Sequence, residues 1–212
     1  MNASYRSRSL DMPSAMDFYF DFSSPYGFVA SEKIEALAAN HARSVEWHPM
    51  LLGVAFKQTG GVPLIEVPLK GDYSKRDMAR SAKFHGVHGF RMPSTFPIAT
   101  QAPARIALWA RERDRVLAPR IIHSLYRAFF VDDIDISKPD AAAAIAASCG
   151  VEAATARAAV DDPAIKDALR RENDQAIASG VFGSPFVIVD GEPFWGVDHF
   201  DQVDRWLATG GW

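Results

Sequence analysis

Phe18, Phe20 and Phe22 alternate with Asp17, Tyr19 and Asp21, a period of two that predicts a strand over residues 17–22 with one wholly aromatic face. Ser-Ser-Pro-Tyr-Gly at 23–27 follows directly and turns into VASEKIEALAANH, where Ile34, Leu37 and Ala38 recur at helical spacing. Pro25 stands where a first helical turn tolerates it. Strand character returns in SVEWHPMLL, residues 44–52. A strand–helix–strand unit of this length predicts a parallel pair with a right-handed crossover. Residues 53–75, punctuated by Gly and Pro, read as a loop long enough to wall a functional site.

From Asp77 the period changes to the helical one. QAPARIALWARERDRVL and PRIIHSLYRAFFVDD both set apolar residues three and four apart, as in Ile122, Leu125, Tyr126 and Phe129. SKPDAAAAIAASCG offers Ser137 as an N-cap and Gly150 as a stop, and Asp162 before Pro163 opens a further helix that Gly180 closes. Two apolar runs then flank Asp190-Gly191, a strong hairpin signal. A last helix is expected with Asp198 at its N-cap and Val203, Trp206 and Leu207 as its buried stripe. The order βαβ, helical block, ββα describes an α/β protein: a thioredoxin-like fold with an all-α subdomain inserted between its halves. Residues 16–75 and 181–212 form the thioredoxin-like domain, residues 76–180 the inserted helical subdomain, and residues 1–15 a disordered N-terminal extension ahead of a second candidate start at Met16.

Charge and cysteine count narrow the chemistry. A formal charge of -3 argues against a nucleic-acid partner, which would favour a strongly basic face. Apolar runs such as FVIV fall far short of the ~20 residues of a membrane span, and the first fifteen residues lack the apolar centre of a secretory signal. The single cysteine, Cys149, rules out chemistry needing two thiols of one chain and fits a cytoplasmic location. His85 and His88 have no carboxylate or cysteine nearby to complete a metal set, so no metal is expected.

Two places carry candidate chemistry. Ser24 lies where the first strand ends and the first helix begins, so its hydroxyl and the unpaired N–H groups of that helix converge on a spot that favours an anion. A plain N-cap is the other role open to it. Ser184 precedes Pro185 at the entrance of a strand, the one setting in which a cis peptide is cheap. In a thioredoxin-like sheet that loop faces the first helix, and the Ser184 backbone could pair with an extended peptide. Asp21, at the strand end, either tunes this site or is a solvated acid.

DFYFDFSSPYGF, EWHPMLLGVAFKQTGG and VFGSPFVIVDGEPFWGVD, in this order around a helical insertion, resemble the 2-hydroxychromene-2-carboxylate isomerases and their relatives, the kappa-class glutathione transferases. The similarity runs from Met16 to the C-terminus. These belong to the disulfide-oxidoreductase-like thioredoxin superfamily, with Ser24-Pro25-Tyr26-Gly27 where that superfamily carries Cys-x-x-Cys. The resemblance implies glutathione as cofactor, its thiolate against the catalytic Ser24, with Tyr26, Ser184, Trp195, Gly196, Val197 and Asp198 around the tripeptide. It also implies a small aromatic carboxylate substrate, isomerised without net redox, with Lys57 meeting its carboxylate and Phe96 its ring. A solvated charge and a core residue are the other roles open to those two. A transferase or peroxidase acting on small electrophiles, or a non-catalytic glutathione-binding module, would share the same thiol site. Relatives suggest a homodimer. Three positions depart from the pattern: Gly61 where many relatives have Asn, Val197 where others are polar, and His48 where some have Arg.

Overall fold

A computed structural model describes residues 14–212. The expected extension falls outside the described residues, apart from Ser14 and Ala15. Ser14 is anchored, donating its hydroxyl to Asp190 at 2.6 Å and accepting from Arg43.

Strands β1 (Met16–Phe20) and β2 (Val45–Pro49) pair in parallel around helix α1 (Pro25–Asn40). Strands β3 (Phe186–Val189) and β4 (Glu192–Trp195) form the hairpin about Asp190-Gly191, and both turn residues take the positive φ that such a two-residue turn requires. β3 lies antiparallel to β1, giving a mixed sheet in the order β2-β1-β3-β4. The fold is thus the expected thioredoxin-like one.

The alternation along β1 decides what each face of the sheet packs against. Phe18 and Phe20 point into the larger core, where Trp47 meets both rings edge-on at 5.1 and 5.7 Å and Phe28, Tyr126 and Phe130 continue the aromatic stack. Tyr19 faces the other way, onto Met50, Ala55, Ala176, Val181 and Phe186. Burying aromatic rings of this size contributes about 1.5–3 kcal/mol each before the entropy of ordering them is set against it.

Between β2 and β3 run helices α2 (Leu52–Thr59), α3 (Lys70–Phe84), α4 (Gln101–Arg113), α5 (Leu117–Phe130), α6 (Pro139–Ser148), α7 (Ala153–Asp161) and α8 (Pro163–Ala178). A 3-10 turn at Val197–His199 precedes α9 (Phe200–Thr209). Three sequence expectations are corrected here. The long loop at 53–75 is instead α2, a 3-10 turn at Leu64–Glu66 and the first part of α3. Leu51, at the N-cap of α2, offers no side-chain cap; the helix start is held from afar, by Asp21 on the Leu52 N–H at 2.6 Å and Asn173 on the Leu51 N–H at 2.8 Å. The N-cap of α6 is Lys138, because the Ser137 hydroxyl is drawn to Asp135. The N-cap of α9 is His199, because residues 197–199 wind as a 3-10 turn first. Helix α7, rich in Ala and without a side-chain cap, had no local signal to announce it.

Candidate active site

Ser24 is the N-cap of α1, and it is buried. Its Oγ accepts the Gly27 N–H at 2.9 Å and donates to the Ser184 carbonyl at 2.8 Å. Pro25 carries no N–H, and the Phe28 N–H bonds the Ser24 carbonyl at 3.0 Å. In the first turn of α1 this leaves the Tyr26 N–H without an acceptor among the described residues. The helix therefore presents one main-chain donor, one hydroxyl and the positive end of its dipole at a single point.

The Ser184–Pro185 peptide is cis. Ser184 reaches across to the same turn from two sides: its carbonyl takes the Ser24 hydroxyl, and its own Oγ accepts the Asp21 N–H at 2.9 Å. The carbonyl is therefore already engaged, while the Ser184 N–H has no acceptor among the described residues. Gly27 makes the approach feasible. A Cβ there would stand 2.8 Å from the Tyr126 hydroxyl, 2.9 Å from Ser184 Oγ and 3.0 Å from Ser24 Cβ.

Behind the turn lies Asp21, which is buried and not a solvated acid. Its carboxylate accepts the Ser23 N–H at 2.7 Å and the Leu52 N–H at 2.6 Å. Burial raises its pKa against the pull of these donors. Its carbonyl accepts both the Ser24 N–H and the Tyr126 hydroxyl at 2.9 Å.

The hairpin end closes one side. The Gly196 N–H bonds the Pro185 carbonyl at 3.0 Å, tying the 196–198 turn to the Ser184 loop, and Gly196 itself has a φ of 99° that favours glycine. Val197 is buried, whereas the Asp198 carboxylate is largely exposed. The Tyr26 phenol is pushed up by burial first, then by Asp77, to which it donates at 2.7 Å, then by Tyr73 and by Asp198. The 3-10 turn that carries Asp198 packs against α1. Trp195 is half exposed, its ring against Gly183 and edge-on to Phe182 at 5.0 Å.

The two remaining candidates are placed less tightly. Phe96 is half-buried and stacks on Phe129 at 6.3 Å; two residues on, the Ile98 N–H bonds Ser23 Oγ at 3.3 Å, so its loop borders the site. Lys57 is exposed on the last turn of α2 and makes no ion pair among the described residues. Two hollows are lined mainly by other residues. One of about 360 Å³ is lined by His48, Arg111 and Glu172, and one of about 610 Å³ by Trp195, Trp206 and Trp212. Neither includes Ser24, whose claim rests on converging donors and not on volume. Among these residues Tyr126 and the hold of Asp21 on α2 carry no local sequence signal, because their partners lie 105 and 31 positions away.

Comparison with known proteins identifies the family and the fold. The family model described as a DSBA-like thioredoxin domain matches residues 15–208. A 2-hydroxychromene-2-carboxylate isomerase of Sphingobium xenophagum is 30% identical over 200 residues, covering 92% of this chain and 99% of that protein. Glutathione S-transferase kappa 2 of Caenorhabditis elegans is 27% identical over 205 residues, 90% of each chain. A solved structure of a 2-hydroxychromene-2-carboxylate isomerase superposes with a TM-score of 0.83 over 92% of this chain and 94% of its own, at 20% identity, and shows the same fold. The chain belongs to the DSBA-like thioredoxin domain family, among the 2-hydroxychromene-2-carboxylate isomerases and kappa-class glutathione transferases.

Proposed function

We propose that this protein is a glutathione-dependent isomerase of the 2-hydroxychromene-2-carboxylate type, in which Ser24 stabilises the glutathione thiolate. The observation that carries the proposal is the Ser24 hydroxyl at the N-terminus of α1, 2.8 Å from the Ser184 carbonyl and beside two main-chain N–H groups, of Tyr26 and Ser184, that lack acceptors among the described residues. Such a donor set suits a thiolate on an extended peptide. It has no cysteine of its own with which to do redox chemistry.

Bound glutathione would supply a thiolate that adds to the substrate and later leaves it, permitting rotation about a carbon–carbon bond with no net redox. The chain's own residues prepare that sulfur. A free thiol has a pKa of ~8.5 and is mostly protonated near neutrality, and a hydroxyl donor at a helix N-terminus favours the anion. Ser24 can serve by turning its proton from the Ser184 carbonyl toward the sulfur. It then continues to accept the Gly27 N–H, so the helix cap is retained. The Tyr26 N–H adds a second donor. The Ser184 N–H would hold the cysteinyl part of the tripeptide. The Val197 main chain and the Asp198 carboxylate would hold the γ-glutamyl end, the latter facing its ammonium, with Trp195 and Gly196 shaping that wall. Lys57 and Phe96 would meet the carboxylate and ring of a small aromatic substrate. A cytoplasmic homodimer is part of the proposal.

A second reading is favoured by the kappa-class relative, which matches nearly as well as the isomerase: transfer of glutathione to a small electrophile at the same site. One experiment separates them. Spectrophotometric isomerisation of 2-hydroxychromene-2-carboxylate should proceed only with glutathione present. Conjugation of a small electrophile without isomerisation selects the transferase, and no change in either assay removes both.

A further inference from the structure

Asp21 serves the site with two separate sets of atoms. Its main chain belongs to the thiol side: the N–H bonds Ser184 Oγ, and the carbonyl takes the Ser24 N–H and the Tyr126 hydroxyl. Its side chain bridges from the turn to the opposite side. One carboxylate oxygen holds the N–H of Leu52, the first residue of α2, and the other the N–H of Ser23, whose own hydroxyl accepts the Ile98 N–H. Ser23 thus links the carboxylate to the segment that leads into α4. Leu51 provides no side-chain cap for α2, so the Asp21 carboxylate replaces the missing local cap from 31 residues away.

On these grounds, and resting on the function proposed above, we infer that the Asp21 side chain is a positioning residue for the electrophilic substrate: it registers α2 directly, and the 96–100 segment through Ser23, against the Ser24 turn, while the donors that would hold glutathione are set chiefly by the Asp21 main chain. The elements so registered carry Lys57 and Phe96. Among the described residues of the turn, the Ser23 hydroxyl reaches only the 96–100 segment, whereas the Asp21 carboxylate reaches α2.

The test uses the full-length Asp21→Ala and Asp21→Asn proteins. Three quantities are read: the glutathione Kd by calorimetry, kcat and KM for 2-hydroxychromene-2-carboxylate at saturating glutathione, and amide hydrogen exchange. Losing a hydrogen bond to a charged group corresponds to about tenfold or more in the affected equilibrium. Exchange at residues 52–59 should therefore quicken about tenfold in Asp21→Ala, with the amides of α1 unchanged. KM for the chromene should rise about tenfold, with glutathione Kd moving less than about threefold. Asp21→Asn keeps one accepting oxygen and turns an amide NH2 toward the other donor, so it should fall between wild type and Asp21→Ala, and it covers the case in which Asp21→Ala does not fold.

Equal losses in glutathione affinity and chromene KM overturn the division of labour, as does unchanged exchange at residues 52–59. If the wild type binds glutathione but does not isomerise the chromene, the proposed function falls instead. Exchange at residues 52–59 and glutathione Kd then still decide the inference, since neither measurement needs the chromene.

Discussion

The joint between the helical insertion and the sheet offers a prediction that can be worked from the structure in numbers. Glu172 on α8 grips Arg111 on α4 through both oxygens, at 3.0 and 2.6 Å, and bonds His48 Nδ1 on β2. The other ring nitrogen of His48 faces Asp17 at 3.2 Å, and Arg111 also donates to the Trp47 carbonyl at 2.8 Å. Burial alone would raise the Glu172 pKa, but His48 and Arg111 outweigh it and hold the group down from 4.5 to about 2. A carboxylate with a depressed pKa adds stability that is fully present above its unfolded value and drains as pH falls through the folded one. Two and a half pH units correspond to about 3 kcal/mol, with Glu172 only 13% exposed and so little screened. Glu172→Gln leaves Arg111 facing an uncharged partner, which places the loss at the lower end of the ~3–5 kcal/mol seen when one member of a buried pair is removed. Urea unfolding followed by circular dichroism should show the variant about 3 kcal/mol less stable at pH 6. At pH 3 most of this contribution has already drained from the wild type, and the gap should shrink to ~1 kcal/mol. A gap that stays the same between pH 6 and pH 3 would refute the reasoning. His48 adds an opposite edge: burial lowers its pKa, Asp17 and Glu172 outweigh that and raise it, so its contribution is present below pH 6.5 and is lost as pH rises through the raised value.

Ser24→Ala removes both a helix cap and the proposed thiolate donor; it should cost ~1 kcal/mol of stability and about tenfold or more in kcat/KM, from a charge-assisted bond worth ~1.5–3 kcal/mol. Gly27→Ala puts a methyl against the Tyr126 and Ser184 hydroxyls and Ser24 Cβ. Overpacking of this kind costs ~1–3 kcal/mol, and thermal unfolding together with the glutathione Kd should both register it. Gly196→Ala is strained at a φ of 99° and drives its methyl into the Asp198 carboxylate; calorimetry should show weaker glutathione binding, with the isomerisation kcat at saturating glutathione little changed.

What could be read from the sequence depended on how far the determining partners lie along the chain. The alternation of β1, the Asp190-Gly191 hairpin and the amphipathic α5 are each written in neighbouring residues, and the structure follows them. Ser24 and the Ser184-Pro185 pair were legible because a cap and an X-Pro peptide are local signals, and the fold brings them to 2.8 Å. Helix α2 was not legible. Its start is set by Asp21 and Asn173, 31 and 122 positions away, and Gly60 and Gly61 at its end suggested a loop. The buried state of Asp21 was equally hidden, since only its Ser23 donor is local and the other comes from Leu52, 31 positions away. Nor does any local pattern join His48, Arg111 and Glu172, three charged positions on three different elements.

The most direct measurement is the titration of the glutathione thiol bound to the protein, followed by its ultraviolet thiolate absorbance, in wild type and in Ser24→Ala. A helix N-terminus with a hydroxyl donor predicts an apparent pKa well below the ~8.5 of a free thiol, moving back toward that value in the variant. A bound thiol that titrates like the free one, or one that is lowered equally in both proteins, would contradict the role given to Ser24.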